Sequence, residues 1–173
     1  MSLKFGTDGV RGRALTELTP GFVTMLGAAA ARVLGAGPWL VARDTRESGE
    51  ELQQALWHGL HLLGGAQVTT VDVLPTPAVA WLAAESGRPA AMITASHNPW
   101  QDNGVKIFAA GGLKLTDEVE RSIEAALHGE HAAVSGVPVV TATEHDWRDG
   151  YTAHLAGIDG SLNGMRVVLD CAN

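Results

Sequence analysis

The sequence predicts an α/β fold: a three-layer domain with a mostly parallel mixed sheet between helices, followed by the first strand of a second α/β domain. Three observations predict it. Short apolar runs alternate along the chain with longer segments of helical periodicity. Those longer segments open on capping residues followed by proline or acidic side chains. Hydrophobic residues make up 46% of the 173 residues and charged ones only 18%, enough apolar material for a packed core.

The elements follow in order. Thr19 caps a first helix with Pro20 at its first position, and Phe22, Met25, Leu26, Ala29 and Val33 share one face. WLVAR at 39–43 is the first buried strand. Ser48-Gly-Glu-Glu51 has the form of a capping box, opening a helix that carries Leu52, Ala55, Leu56, Leu60 and Leu63 and ends at Gly64-Gly65. VTTVDVL at 68–74 is the next strand, and Thr76-Pro77 repeats the cap-then-proline signature before a short helix. AAMITA at 90–95 and VKIF at 105–108 are strands joined by a short polar loop, a length compatible with an antiparallel pair. Thr116-Asp-Glu opens a fourth helix, residues 129–144 read as an extended passage, and 145–155 as a polar helix. VVLDCAN at the C-terminus reads as a buried strand. Residues 1–145 are expected to form the first domain, and 146–173 a linker helix and the truncated start of a second.

The formal charge of −7, without a basic run, argues against nucleic acid and anionic membranes as partners. The single cysteine, Cys171, excludes an internal disulfide and a paired-cysteine metal site. MSLKFGTDG lacks the apolar stretch of a signal peptide, and no apolar run approaches the roughly 20 residues of a membrane span. A cytoplasmic location is the expectation.

In a parallel sheet, ligands gather beyond the carboxyl ends of the strands. Three polar loops occupy such places: GTDGVRGR, RDTRESG and ASHNPWQDNG. Ser96 in the third reads either as a turn serine or as an acceptor of a phosphoryl group. A hydrolase is disfavoured, because there is no G-x-S-x-G elbow and His97 would point away from Ser96 in an extended chain. A phosphoserine needs nearby cations for its dianion and usually Mg²⁺; Arg11, Lys106, His97, Arg43 and Arg46 could supply the charge. Arg11 is flanked by glycines, which suit either a solvated loop or a backbone bent to present the guanidinium to an oxyanion. Lys106 is either an edge-strand lysine that discourages aggregation or one aimed into a cleft. Arg43-Asp-Thr-Arg46 also reads as a salt-bridged loop ahead of a helix. The other histidines show no ligand spacing, and the tryptophans read as packing residues.

Together, FGTDGVRG, RDTR, PTPAVA and TASHNPWQDNGVKIF resemble the N-terminal signature of the α-D-phosphohexomutase superfamily. FGTDGVRG followed by SHNPxxDNGVK is most similar to its phosphoglucosamine mutase branch. The resemblance covers residues 4 to about 128, and MRVVLDCAN is similar to the start of that family's second domain.

The resemblance implies a phosphoserine at Ser96, presented by the Asn98-Pro99 turn, with His97, Lys106 and Arg11 lining its site and Arg43, Arg46 and Asn98 contacting substrate. It implies interconversion of glucosamine 6-phosphate and glucosamine 1-phosphate through glucosamine 1,6-bisphosphate, with Mg²⁺ held through the phosphate of Ser96. In such a family the remaining metal ligands, the sugar loop and the distal phosphate loop lie beyond Asn173, so the 173 residues alone are expected to be inactive. Alternatives are a mutase for glucose or mannose phosphates and a noncatalytic phosphosugar-binding module. A homodimer is one expectation for the whole protein.

Overall fold

A computed structural model of the chain describes residues 3–6, 9–127, 147–158, 160–161 and 163–170. Its elements are β1 (Val10–Arg13), α1 (Pro20–Leu34), β2 (Trp39–Arg43), α2 (Gly49–His58) continuing into a π-helical turn (Gly59–Leu63), β3 (Val68–Val73), α3 (Thr76–Ser86), β4 (Ala90–Ile93), β5 (Asp102–Phe108), α4 (Asp117–Leu127) and α5 (Trp147–Ala156). The strands form one sheet in the order β1-β5-β4-β2-β3. β2 runs parallel to β3 and β4, whereas β5 is antiparallel to β4 and β1. The sheet is therefore mixed, with β5 the one reversed strand. The short loop between β4 and β5, whose length is compatible with an antiparallel pair, joins them in that sense.

Side-chain alternation divides the core into the two interlayers of a three-layer fold. Trp39, Val41, Ala91, Ile93, Val105 and Ile107 face α1, α2 and α4, where they meet Leu26, Leu52, Leu56 and Ile123. Leu40, Ala42, Ala90, Met92 and Phe108 face the other way, against Val79 and Leu82 of α3. α5 joins that side, Tyr151 and His154 lying 5.7 and 5.3 Å from the ring of Trp81.

The expected start of α1 is present: Phe22 N donates to Thr19 Oγ1 at 3.2 Å, with Pro20 in the first turn. Two other caps differ. Ser48 makes no capping bond; its hydroxyl instead accepts from Asn103 Nδ2 at 3.0 Å. Asn103 is fully buried, and a buried amide without a partner costs more than a solvated helix end left uncapped. Thr76 is the first residue of α3 rather than its cap, because Pro75 already supplies the extended entry and its carbonyl accepts from Ala78 N and Val79 N.

The glycine-rich segment around Arg11 was expected as a loop and is a strand, β1, paired with β5. It pairs because Gly9 (φ +88°) brings the backbone so close to β5 that a β-carbon there would strike Val105 O. β5 is consequently an interior strand, so Lys106 is not an edge-strand lysine. The final strand does not form among the described residues: 165–170 take no place in a sheet, and Val168 and Leu169 are 94% and 80% exposed. A strand needs a neighbour to satisfy its backbone, and no second sheet stands beside this one among the described residues. The extended passage at 129–144 and Cys171 lie outside the described residues.

Candidate active site

β2 and β4 are parallel neighbours, so the loops leaving their carboxyl ends lie side by side; Asp44 N bonds to Ile93 O at 3.0 Å just beyond the strands. Ser96 sits three residues past β4 with φ of +56°, a left-handed conformation that a serine seldom adopts. Two bonds fix it. Its amide donates to Thr94 Oγ1 at 2.9 Å, and its carbonyl accepts from an Arg46 guanidinium nitrogen at 2.9 Å. Its side chain is exposed.

The turn also revises the relation of Ser96 to His97. The chain is not extended at this point, and His97 Nδ1 lies 3.4 Å from Ser96 Oγ, long for a hydrogen bond but on the same side. A hollow of about 390 Å³ opens beside the serine, bordered by Asp44, Arg46, Glu47, Asn98 and Trp100. Trp100, read as a packing residue, is 71% exposed at the loop tip. It is placed there because Asp102 N→Pro99 O closes the turn that carries it.

Arg46 and Asp44 make the ion pair expected of the RDTR segment, at 3.1 Å. The guanidinium goes further: besides Asp44 Oδ2 it donates to the carbonyls of Ser96, Asn98, Pro99 and Asp102 at 2.7–3.0 Å. Asn98 Nδ2 braces the same loop by donating to Asp102 Oδ2 at 3.1 Å.

The sheet register joins two further candidates. Arg11 stands opposite Gly104 and Lys106 opposite Met92, which puts both cations on the α3 face of the sheet. α3 packs over β4 and β2, and Arg11 and Lys106 are partly exposed beside it. Gly104 is required there: a β-carbon would come within 2.6 Å of Thr94 O and 2.9 Å of Arg11 Cγ. Arg43 is not brought to Ser96. It leaves β2 on the α2 face and lines a separate cleft of about 520 Å³ with Glu50, Gln53, Trp57 and His58.

Thr94 and the loop-facing role of Asp44 are not apparent from the sequence. Their signal was faint, an alcohol and a carboxylate at the ends of adjacent parallel strands. Among the described residues, no three His, Cys, Asp or Glu side chains come together as a metal site. No helix among them is long and apolar enough to cross a membrane.

Residues 2–133 match the family described as phosphoglucomutase/phosphomannomutase, alpha/beta/alpha domain I. Over its whole length the chain is 47% identical to the phosphoglucosamine mutase of Salinispora arenicola and 48% identical to that of Rhodococcus erythropolis, covering 41% of each. Among solved structures, a putative phosphomannomutase from Thermus thermophilus superposes with a TM-score of 0.78 at 32% identity, over 92% of this chain and 37% of that one. A phosphoglucomutase/phosphomannomutase family protein from Burkholderia thailandensis gives 0.69 at 28% identity, over 88% and 35%. The chain thus spans about 41% of the length of the curated relatives it matches. With the motifs, the mixed sheet and the serine loop all agreeing, it belongs to the phosphoglucomutase/phosphomannomutase family, through that family's α/β/α domain I.

Proposed function

We propose that Ser96 is the phosphoryl carrier of a phosphoglucosamine mutase, in which the full-length protein interconverts glucosamine 6-phosphate and glucosamine 1-phosphate. Such a reaction supplies the route to UDP-N-acetylglucosamine and cell-wall precursors. The observation that carries this reading is the exposed serine hydroxyl, held on left-handed backbone at the carboxyl end of β4.

The transfer has two halves. The 1-hydroxyl of glucosamine 6-phosphate attacks phosphorus on Ser96; the Oγ–P bond breaks, the sugar O–P bond forms, and the hydroxyl proton ends on Oγ. Glucosamine 1,6-bisphosphate then reorients, and Ser96 Oγ takes back the 6-phosphoryl group as its proton passes to the sugar oxygen. His97, with Nδ1 3.4 Å from Oγ, is within reach to relay that proton. Lys106 and Arg11 supply positive charge toward the transferring group, which develops no new covalent partner on the protein besides Oγ. Asn98 borders the hollow where the sugar phosphate would lie, and Arg43, in the other cleft, is assigned no contact.

Mg²⁺ belongs to this reading as a partner of the phosphoserine. Among the described residues no three His, Cys, Asp or Glu side chains come together to complete its coordination. Since the chain spans about 41% of its curated relatives, we expect the 173 residues alone to give no turnover. A second reading, a mutase for glucose or mannose phosphates, is supported by the names of the Thermus thermophilus neighbour, a putative phosphomannomutase, and of the Burkholderia thailandensis phosphoglucomutase/phosphomannomutase family protein.

The test is label transfer from glucosamine 1,6-bisphosphate in the full-length protein, with and without Ser96→Ala. Transfer that survives the substitution removes Ser96 from the mechanism; a wild type that binds the sugar phosphate but transfers nothing is a binding module. Ranking kcat/KM for glucosamine, glucose and mannose phosphates separates the two mutase readings.

A further inference from the structure

Arg46 has five N–H donors in a rigid planar fork, and all five directions are used. Nε meets Asp44 Oδ2 at 3.1 Å; one terminal nitrogen meets Pro99 O at 2.7 Å and Asp102 O at 3.0 Å; the other meets Ser96 O and Asn98 O, both at 2.9 Å. The loop from Ser96 to Asp102 therefore turns four of its carbonyls onto one guanidinium. The arginine side chain is 11% exposed.

Asp44 completes the arrangement. Its Oδ1 accepts from Arg46 N at 3.0 Å, and its Oδ2 accepts from Arg46 Nε and from the hydroxyl of Thr94 at 2.7 Å. The same hydroxyl oxygen accepts from Ser96 N. An unbroken chain of polar contacts thus runs from the end of β2 to both the amide and the carbonyl of the serine. A cation saturated in this way has no fork left to grip a phosphate.

We infer that Arg46, seated by Asp44, is a positioning residue that holds the Ser96 loop in its strained, presenting conformation rather than a ligand of the sugar phosphate. The inference rests on the reading of Ser96 as phosphoryl carrier. The carbonyls converge on Arg46 from four separate positions of one loop, which a compact ammonium with three donors cannot span. Because the loop's backbone is what the fork organises, its loss displaces Oγ without removing any substrate contact.

The discriminating variant in the full-length protein is Arg46→Lys, which keeps the charge and removes the fork. The expected result is a fall in kcat of about 10²-fold, the scale of a misplacement near 1 Å, with KM within about twofold of wild type. Amide hydrogen exchange in the peptide spanning 95–101 should accelerate in parallel, and millimolar guanidinium should restore part of the activity of Arg46→Ala. A rise in KM with kcat intact, or unaltered exchange in the loop, overturns the inference. If neither Arg46 variant folds by circular dichroism, Asp44→Asn serves instead; it should shift kcat and exchange in the same direction by less, and no shift overturns the inference. A wild type that takes no phosphoryl group onto Ser96 defeats the mutase reading separately, and the exchange data then judge the clamp alone.

Discussion

Gly104 on β5 stands directly opposite Arg11 on β1, and a β-carbon on Gly104 would lie 2.9 Å from Arg11 Cγ and 2.6 Å from Thr94 O. One glycine thus leaves room for a candidate phosphate-binding cation and for the strand end that leads to the serine. Backbone atoms cannot retreat as a side-chain tip can. In the full-length protein Gly104→Ala should therefore cost about 1–3 kcal/mol of stability, read from urea denaturation, and lower kcat by more than the stability loss explains. A variant with wild-type stability and turnover would contradict this packing.

Lys106 sits on the same face as Arg11, two residues along β5 from Gly104. In the full-length protein Lys106→Ala should reduce kcat/KM by about 10²- to 10³-fold, the scale of losing one placed group that stabilises transferring charge. Its melting temperature should stay close to wild type, because Lys106 is only partly buried. Steady-state kinetics beside a thermal melt checks both halves.

The hydroxyl of Thr94 donates to Asp44 at 2.7 Å and accepts from Ser96 N at 2.9 Å. Thr94→Val keeps the shape and removes both bonds. At about 1–1.5 kcal/mol for a hydrogen bond that sets the reacting group, kcat of the full-length protein should fall about tenfold while KM holds.

Asn103 is fully buried, with Nδ2 on Ser48 Oγ at 3.0 Å and Oδ1 accepting Gly104 N at 2.8 Å. Asn103→Ala leaves the buried Gly104 amide and the half-buried Ser48 hydroxyl without these partners, so chemical denaturation should show a loss of about 1–3 kcal/mol. Ser48→Ala, which removes only the acceptor hydroxyl, should cost less.

Much of this was legible in the residues. The alternation of helical and apolar segments identified β2, β3, β4 and helices α1 to α4, since each buries its own stripe or face. The four-residue β1 was not legible, because its glycines signal a loop until the close approach at Gly9 is seen. The caps at Ser48 and Thr76 were overruled by partners that only the fold assembles, Asn103 in one case and the carbonyl of Pro75 in the other. At the site, Ser96 and Lys106 stood out as polar side chains at the end of and inside apolar runs, and Arg11 as a cation between glycines. The convergence on Arg46 did not. Backbone carbonyls leave no trace in a sequence, so only the ion pair with Asp44 could be anticipated.

The reading of Ser96 as phosphoryl carrier decides the rest of the mechanism. Intact mass and peptide mapping of the full-length protein, after incubation with glucosamine 1,6-bisphosphate and Mg²⁺, test it. A single phosphoryl group is expected, on the peptide that contains Ser96 and absent from Ser96→Ala. A folded wild type that stays unmodified, or one that carries the group elsewhere, would refute it.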